Sequence, residues 1–101
     1  MTDIRSLKDF DPAEYLDSGE AVAAFLDEAF QSGDARHIAH AVGIAAKAKG
    51  MTETARLSGI RREQLYQAFG ENGNPTLQTL MPVLRALGVE LSVTPIRREE
   101  V

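Results

Sequence analysis

Met51-Thr-Glu-Thr-Ala-Arg-Leu-Ser-Gly-Ile-Arg-Arg-Glu-Gln-Leu-Tyr-Gln-Ala-Phe69 is the stretch that decides the fold. It reads as two short helices joined by a tight turn. Thr52 opens the first helix, which carries Ala55 and either Leu57 or Ser58 inward. Gly59 supplies the positive φ that such a turn needs, and Ile60 is a core anchor. The second helix, Arg61 to Phe69, buries Leu65 and Ala68 and leaves Arg62, Glu63, Gln64 and Gln67 facing outward. In a helix-turn-helix the first helix braces on the DNA backbone and the second lies in the major groove with its N-terminal residues at base edges. Arginine reads guanine there and glutamine reads adenine, each through paired hydrogen bonds. Arg61, Arg62, Gln64 and Gln67 meet that demand. Thr52 and the helix N-terminus beneath it can donate to a phosphate, and Lys47, Lys49 and Arg56 are phosphate contacts by charge.

Working outward, the pattern predicts a mainly α fold of five helices. Asp17 and Glu20 have capping-box spacing at the head of a helix from about Ser18 to Gln31. Its Val22, Phe25, Leu26, Ala29 and Phe30 form one apolar stripe. Asp34 caps a second helix, about Ala35 to Lys49, whose alanines allow close helix approach. Lys47 and Lys49 in its last turn suit the helix dipole, and Gly50 ends it. Gly70 to Pro75 is dense in turn formers and reads as a loop. Thr76 caps the last helix, about Leu77 to Leu87, with Leu77, Leu80, Met81, Leu84 and Leu87 on its apolar side and Pro82 an awkward interior residue. Val89, Leu91 and Val93 alternate with polar residues, the pattern of a half-buried strand that needs a partner. Ile4, Leu7, Phe10 and Tyr15 are candidates to pack on the core, Asp11-Pro12 is a turn or helix start, and residues 97–101 are expected to fray. The chain thus divides into an acidic N-terminal extension and helix (1–33), a helix-turn-helix core (34–89) and a C-terminal strand (90–96), all within one domain of 101 residues.

The net charge of −4 is unhelpful for a nucleic-acid binder until it is mapped. Residues 1–33 carry two basic and eight acidic side chains, a net of −6. Residues 34–69 carry six basic and three acidic, a net of +3, and residues 70–101 carry three and four, a net of −1. The one positive block holds the helix pair. Local sign governs contacts within a Debye length of about 8–10 Å. The acidic end is expected to weaken loose DNA binding, and it reads either as an attractor of a basic partner or as a merely solvated, solubilising face.

Cysteine is absent, so disulfides and thiolate metal sites are excluded. No apolar run resembles a secretory signal or reaches the roughly 20 residues of a membrane span, so a cytoplasmic protein with no membrane partner is the expectation. His37 and His40 have a chelating spacing but no evident third ligand. Asp27 and Glu28 point in different directions on a helix and make a poor acid–base pair. Ser58 and Ser92 lack a histidine-plus-acid setting, and Gly70 and Gly73 do not form a phosphate loop. No enzyme, metal or cofactor is indicated.

Residues 51–93 resemble the lambda-repressor-like, Xre-type helix-turn-helix family, on Gly59-Ile60, Arg61–Phe69, Asn74-Pro75-Thr76 and Ala86-Leu87-Gly88-Val89. A wider likeness includes Phe10-Asp11-Pro12-Ala13-Glu14-Tyr15-Leu16, Gly33-Asp34, Ala46-Lys47-Ala48-Lys49-Gly50-Met51-Thr52, Leu65-Tyr66 and Gly73-Asn74-Pro75. Over about residues 10–94 the chain is similar to the addiction module antidote (HigA-like antitoxin) family. That resemblance implies an antitoxin that binds and silences a RelE/HigB-like ribonuclease toxin and represses the operator of their shared promoter. It places base reading at Arg62, Glu63, Gln64 and Gln67, with Arg61 near the backbone. Two departures bear on this. Glu53 stands where many relatives have Gln, and an acid cannot donate to phosphate; Phe69 replaces a frequent Glu.

The resulting expectation is a homodimer, paired through Val89–Pro95, that sets two recognition helices one DNA turn apart, about 34 Å. Toxin neutralisation is expected to depend on residues 1–33. The competing readings are a protein-binding adaptor on the same scaffold and a stand-alone transcriptional regulator.

Overall fold

Five α-helices follow one another through residues 16–96, the part of the chain that the computed structural model describes. They are α1 (Gly19–Gln31), α2 (Ala35–Lys49), α3 (Met51–Ser58), α4 (Arg62–Ala68) and α5 (Leu77–Ala86). The expectations for Ile4, Leu7, Phe10, Asp11-Pro12, Tyr15 and residues 97–101 lie outside the described residues.

Helix α1 buries Val22, Leu26 and Ala29, with Phe25 and Phe30 half-buried on the same cluster. Its cap is Ser18, one residue later than expected. The Ser18 Oγ accepts the Ala21 N–H at 3.1 Å, so the Asp17–Glu20 capping box does not form. Asp34 caps α2 by accepting from the N–H groups of Arg36 (2.9 Å) and His37 (3.4 Å). Helix α2 is the hub and touches α1, α3 and α4. Its buried face is Ala39, Ala41, Val42, Gly43, Ala45 and Ala46. Small side chains there let three helices approach one axis.

A single residue, Gly50, joins α2 to α3, so α3 begins at Met51 rather than Thr52. Met51 and Thr54 are buried while Ala55 and Ser58 are half-buried, the i, i+3, i+4, i+7 face of a helix. Leu57 is off that face and exposed, so of the two expected alternatives Ser58 is the one that turns inward. Thr54 Oγ1 donates to the Ala46 carbonyl at 3.2 Å, giving a terminal carbonyl of α2 an extra partner.

The turn between α3 and α4 is Gly59-Ile60-Arg61. Gly59 has φ +76°, left-handed backbone that glycine adopts without a Cβ penalty, and its N–H donates to the Ala55 carbonyl. Ser58 Oγ accepts from Ile60 N–H at 3.1 Å and so holds the exit of the turn. Ile60 lies half-buried against the core. Arg61 is extended and caps α4 rather than opening it. Leu65, with 0% exposure, is the one fully buried residue of α4. Ala68 is half-buried, and Phe69, just past the helix end, is buried as well. A Cβ placed on Gly43 would lie 2.9 Å from the Phe69 carbonyl oxygen and 3.3 Å from the Phe69 Cβ. The absence of a side chain at position 43 is what lets the end of α4 rest on α2.

Thr76 caps α5 by accepting from Thr79 N–H. Leu80, Val83, Leu84 and Leu87 make its buried stripe. Leu77 (68% exposed) and Met81 face solvent, contrary to the sequence pattern. Leu77 sits at the open end of the helix and Met81 one step round from Leu80, and Val83 takes the inward position. Pro82 does not break the helix. Its missing N–H falls opposite the carbonyl of Gln78, an exposed residue that water can reach.

After α5, Val89 N–H donates to the Leu84 carbonyl at 3.0 Å. The strand expected at Val89–Val93 does not form, and no strand occurs among the described residues. A strand exists only with a hydrogen-bonded neighbour, and none of the described residues provides one. Val93 is 95% exposed.

Two stability predictions follow from this packing. Leu65→Ala is expected to cost ~2–5 kcal/mol, because it empties the seat of α4, and an unchanged thermal melt would refute that burial. Gly43→Ala sets an overpacking cost of ~1–3 kcal/mol against a helix-propensity gain of ~1 kcal/mol. A net loss of about 1 kcal/mol, or ~4–8 °C in Tm for a domain of this size, is expected by calorimetry. A rise in Tm would show that the contact with Phe69 yields freely.

Candidate functional site

Because α4 is anchored mainly through Leu65, its other faces are open. Arg62, Glu63, Gln64, Tyr66 and Gln67 are all exposed, as is the cap Arg61. The Arg62 guanidinium carbon lies 5.5 Å from the centroid of the Tyr66 ring, and its Nη2 is 3.5 Å from the Tyr66 hydroxyl. These two residues are one helical turn apart, where side chains meet. Stacking on a ring restricts the long arginine arm while leaving guanidinium donors outward. The sequence names Tyr66 only within the family likeness and gives it no site role; the i, i+4 spacing of an arginine and a tyrosine is the signal that identifies one.

The end of α2 and the start of α3 form a second cluster. Lys47, Lys49 and Thr52 are exposed there. Arg56 is bound to Glu53 by two hydrogen bonds, Nε to Oε1 at 3.0 Å and Nη2 to Oε2 at 2.6 Å. Hydrogen bonding from Arg56, aided by its charge and that of Lys49, holds the Glu53 carboxyl below its ordinary pKa against a smaller opposing effect of burial. The pair is therefore intact at neutral pH and is lost only as pH falls through that lowered value. Both groups are open to solvent, where such a pair adds little to stability. Its consequence is local: one of the cations named as a phosphate contact already has an anion. Among the described residues, no hydrogen bond or ion pair joins the side chains of Lys47, Lys49, Arg61, Gln64 or Gln67 to another side chain.

Gly50 offers no side chain to cap α3, and no side-chain hydrogen bond caps α4. Thr52 lies in the first turn of α3 with its side chain exposed. The nine named positions thus fall into two groups: Lys47 and Lys49 at the end of α2 with Thr52 and Arg56 on α3, and Arg62, Glu63, Gln64 and Gln67 on α4 with Arg61 at its cap. Direct contact between α3 and α4 ties the two groups together. His37 and His40 are exposed, and no group of three potential metal ligands occurs among the described residues. No helix of the described residues is long and apolar enough to cross a membrane.

Comparison with known proteins gives the family. The sequence model of a family described as "Probable addiction module antidote protein" matches residues 6–95. An uncharacterized protein of Haemophilus influenzae is 43% identical over 91 residues, covering 90% of this chain and 94% of that protein. No solved structure matches the chain significantly. An antidote family implies a toxin as partner in general terms, and with a match spanning nearly the whole sequence, this chain belongs to the addiction module antidote family.

Proposed function

We propose that the chain is a cytoplasmic type II antitoxin that represses its own operator through α3 and α4 and neutralises a RelE/HigB-like ribonuclease toxin. The observation that carries the DNA-binding half is α4 itself: one buried anchor, Leu65, with arginines and glutamines exposed around it. In this reading α3–turn–α4 is a lambda-repressor-like helix-turn-helix. Arg62, Gln64 and Gln67 reach base edges, Glu63 accepts from cytosine, and Arg61 contacts the backbone. Lys47, Lys49 and the Thr52 hydroxyl hold phosphates. Two copies act as a homodimer on a two-fold operator. Family membership supports the toxin-binding half, and the acidic first third of the chain suits a basic toxin.

A gel-shift titration on the promoter fragment of the chain's own gene tests the repressor. Arg62→Ala or Gln64→Ala is expected to lose about 1–3 kcal/mol of specific binding, or roughly five- to 150-fold, with an unchanged melt. Wild-type binding no tighter to the promoter than to unrelated duplex would overturn the reading in favour of a protein-binding adaptor.

Glu53→Gln gives a separate test. Removing the carboxylate releases Arg56 toward a phosphate, so binding at low salt should tighten. The slope of log K against log salt should steepen by about 0.9 per added contact. An unchanged slope would mean that Arg56 does not face the backbone.

A further inference from the structure

The groove between α1 and the segment after α5 has no part in the DNA reading. It has a volume of about 440 Å³ and is walled by Ala23, Ala24 and Leu26 on one side and Val89 and Leu91 on the other. Its floor is apolar, and the charged residues that line it, Asp27 and Glu90, are both acidic. Glu20 extends the acidic rim along a shallower continuation past Gly88. One wall of this groove is the chain that failed to form a strand. After the Val89 N–H, no backbone hydrogen bond engages residues 90–96 among the described residues. Leu91, Val93 (95% exposed) and Ile96 (72% exposed) stand along the same segment. A segment whose backbone donors and acceptors find no partner among the described residues, next to an apolar trough, is the arrangement that accepts an added strand.

We infer that this groove and the segment 89–96 form the toxin-docking surface, and that the occupant is an extended segment of the toxin with apolar and lysine or arginine side chains. The inference rests on the antitoxin reading above and names its contact site. Charge selects the occupant. A second copy paired through Val89–Pro95, the pairing the strand pattern suggests, would bring Glu20, Asp27 and Glu90 against their own counterparts, and like-charge juxtaposition disfavours it, so the proposed homodimer pairs through another surface. A basic segment instead places cations on Asp27 and Glu90 while its apolar side chains fill the trough. Paired main chains then satisfy residues 90–94, and Pro95, with no N–H, ends the ladder.

Two substitutions probe the surface without touching the core. Ala24 is exposed, so Ala24→Arg fills the groove and reverses its charge. Val93→Pro removes one donor from a segment that makes no backbone bond to any other described residue. The full chain and each variant would be titrated against the small basic protein encoded beside it, with operator binding, melting and native mass measured in parallel. Both variants are expected to bind that protein at least tenfold more weakly while melting and binding operator like wild type. Wild-type affinity in both variants would overturn this docking site and leave the antitoxin reading standing. A wild-type chain that does not bind the neighbouring protein would overturn that reading and this inference together. A lowered melt in Ala24→Arg would show that the chain's own residues cover the groove. A change in native mass with toxin affinity intact would show a self-association surface. Either result also overturns the proposal.

Discussion

The structure depends on the close approach of α4 to α2. Leu65 is the single deep anchor of a seven-residue helix, and Phe69 continues the burial past its end. So short a helix has little stability of its own. It persists because Gly43 leaves room for the Phe69 backbone and because Gly59 turns the chain at the correct place. With the inward contacts confined to Leu65, half-buried Ala68 and Phe69, every other α4 side chain is free to be polar. The exposed row on α4 is thus a consequence of how economically the helix is held.

This dependence explains which features were legible in the sequence. Helix order and the stripe on α1 follow from apolar spacing, and the turn follows from Gly59-Ile60, because local pattern alone determines them. The features that escaped depend on neighbours. Thr54 looked polar and is fully buried, because the Ala46 carbonyl is within reach of its hydroxyl. Leu77 and Met81 looked like core, yet α5 meets the rest of the fold through Leu80, Val83, Leu84 and Leu87. The strand pattern of Val89–Val93 was real as a pattern and empty as a prediction, since strand formation is a property of pairs. Likewise the positions of the nine candidate site residues could be counted in the sequence, but the Glu53–Arg56 pair and the Arg62–Tyr66 stack needed side-chain geometry.

Charge divides the described residues into two faces. The positive block lies on the second half of α2 and on α3 and α4, and the acidic residues cluster on α1 and beside Val89. Both faces are built on the same core, because α2 packs against α1 as well as against α3 and α4. On the proposed reading, DNA and toxin meet opposite charges on separate surfaces, and neither has to displace the other by direct contact.

The number of cations bears on how such a chain could hold DNA at all. With Arg56 engaged by Glu53, the basic residues left in the two groups are Lys47, Lys49, Arg61 and Arg62. At about 0.9 per neutralised phosphate, the three of these assigned to the backbone, Lys47, Lys49 and Arg61, give one copy a salt slope of roughly −2.7, and two copies on one operator roughly −5.4. The acidic remainder of the chain, residues 1–33 and 70–101 with a net of −7, lowers affinity further wherever it lies within a Debye length of the duplex. Pairing two copies on one operator doubles the backbone contacts of one and steepens the salt dependence accordingly. On the proposed reading, repression uses two copies side by side, and whatever governs their pairing governs the promoter.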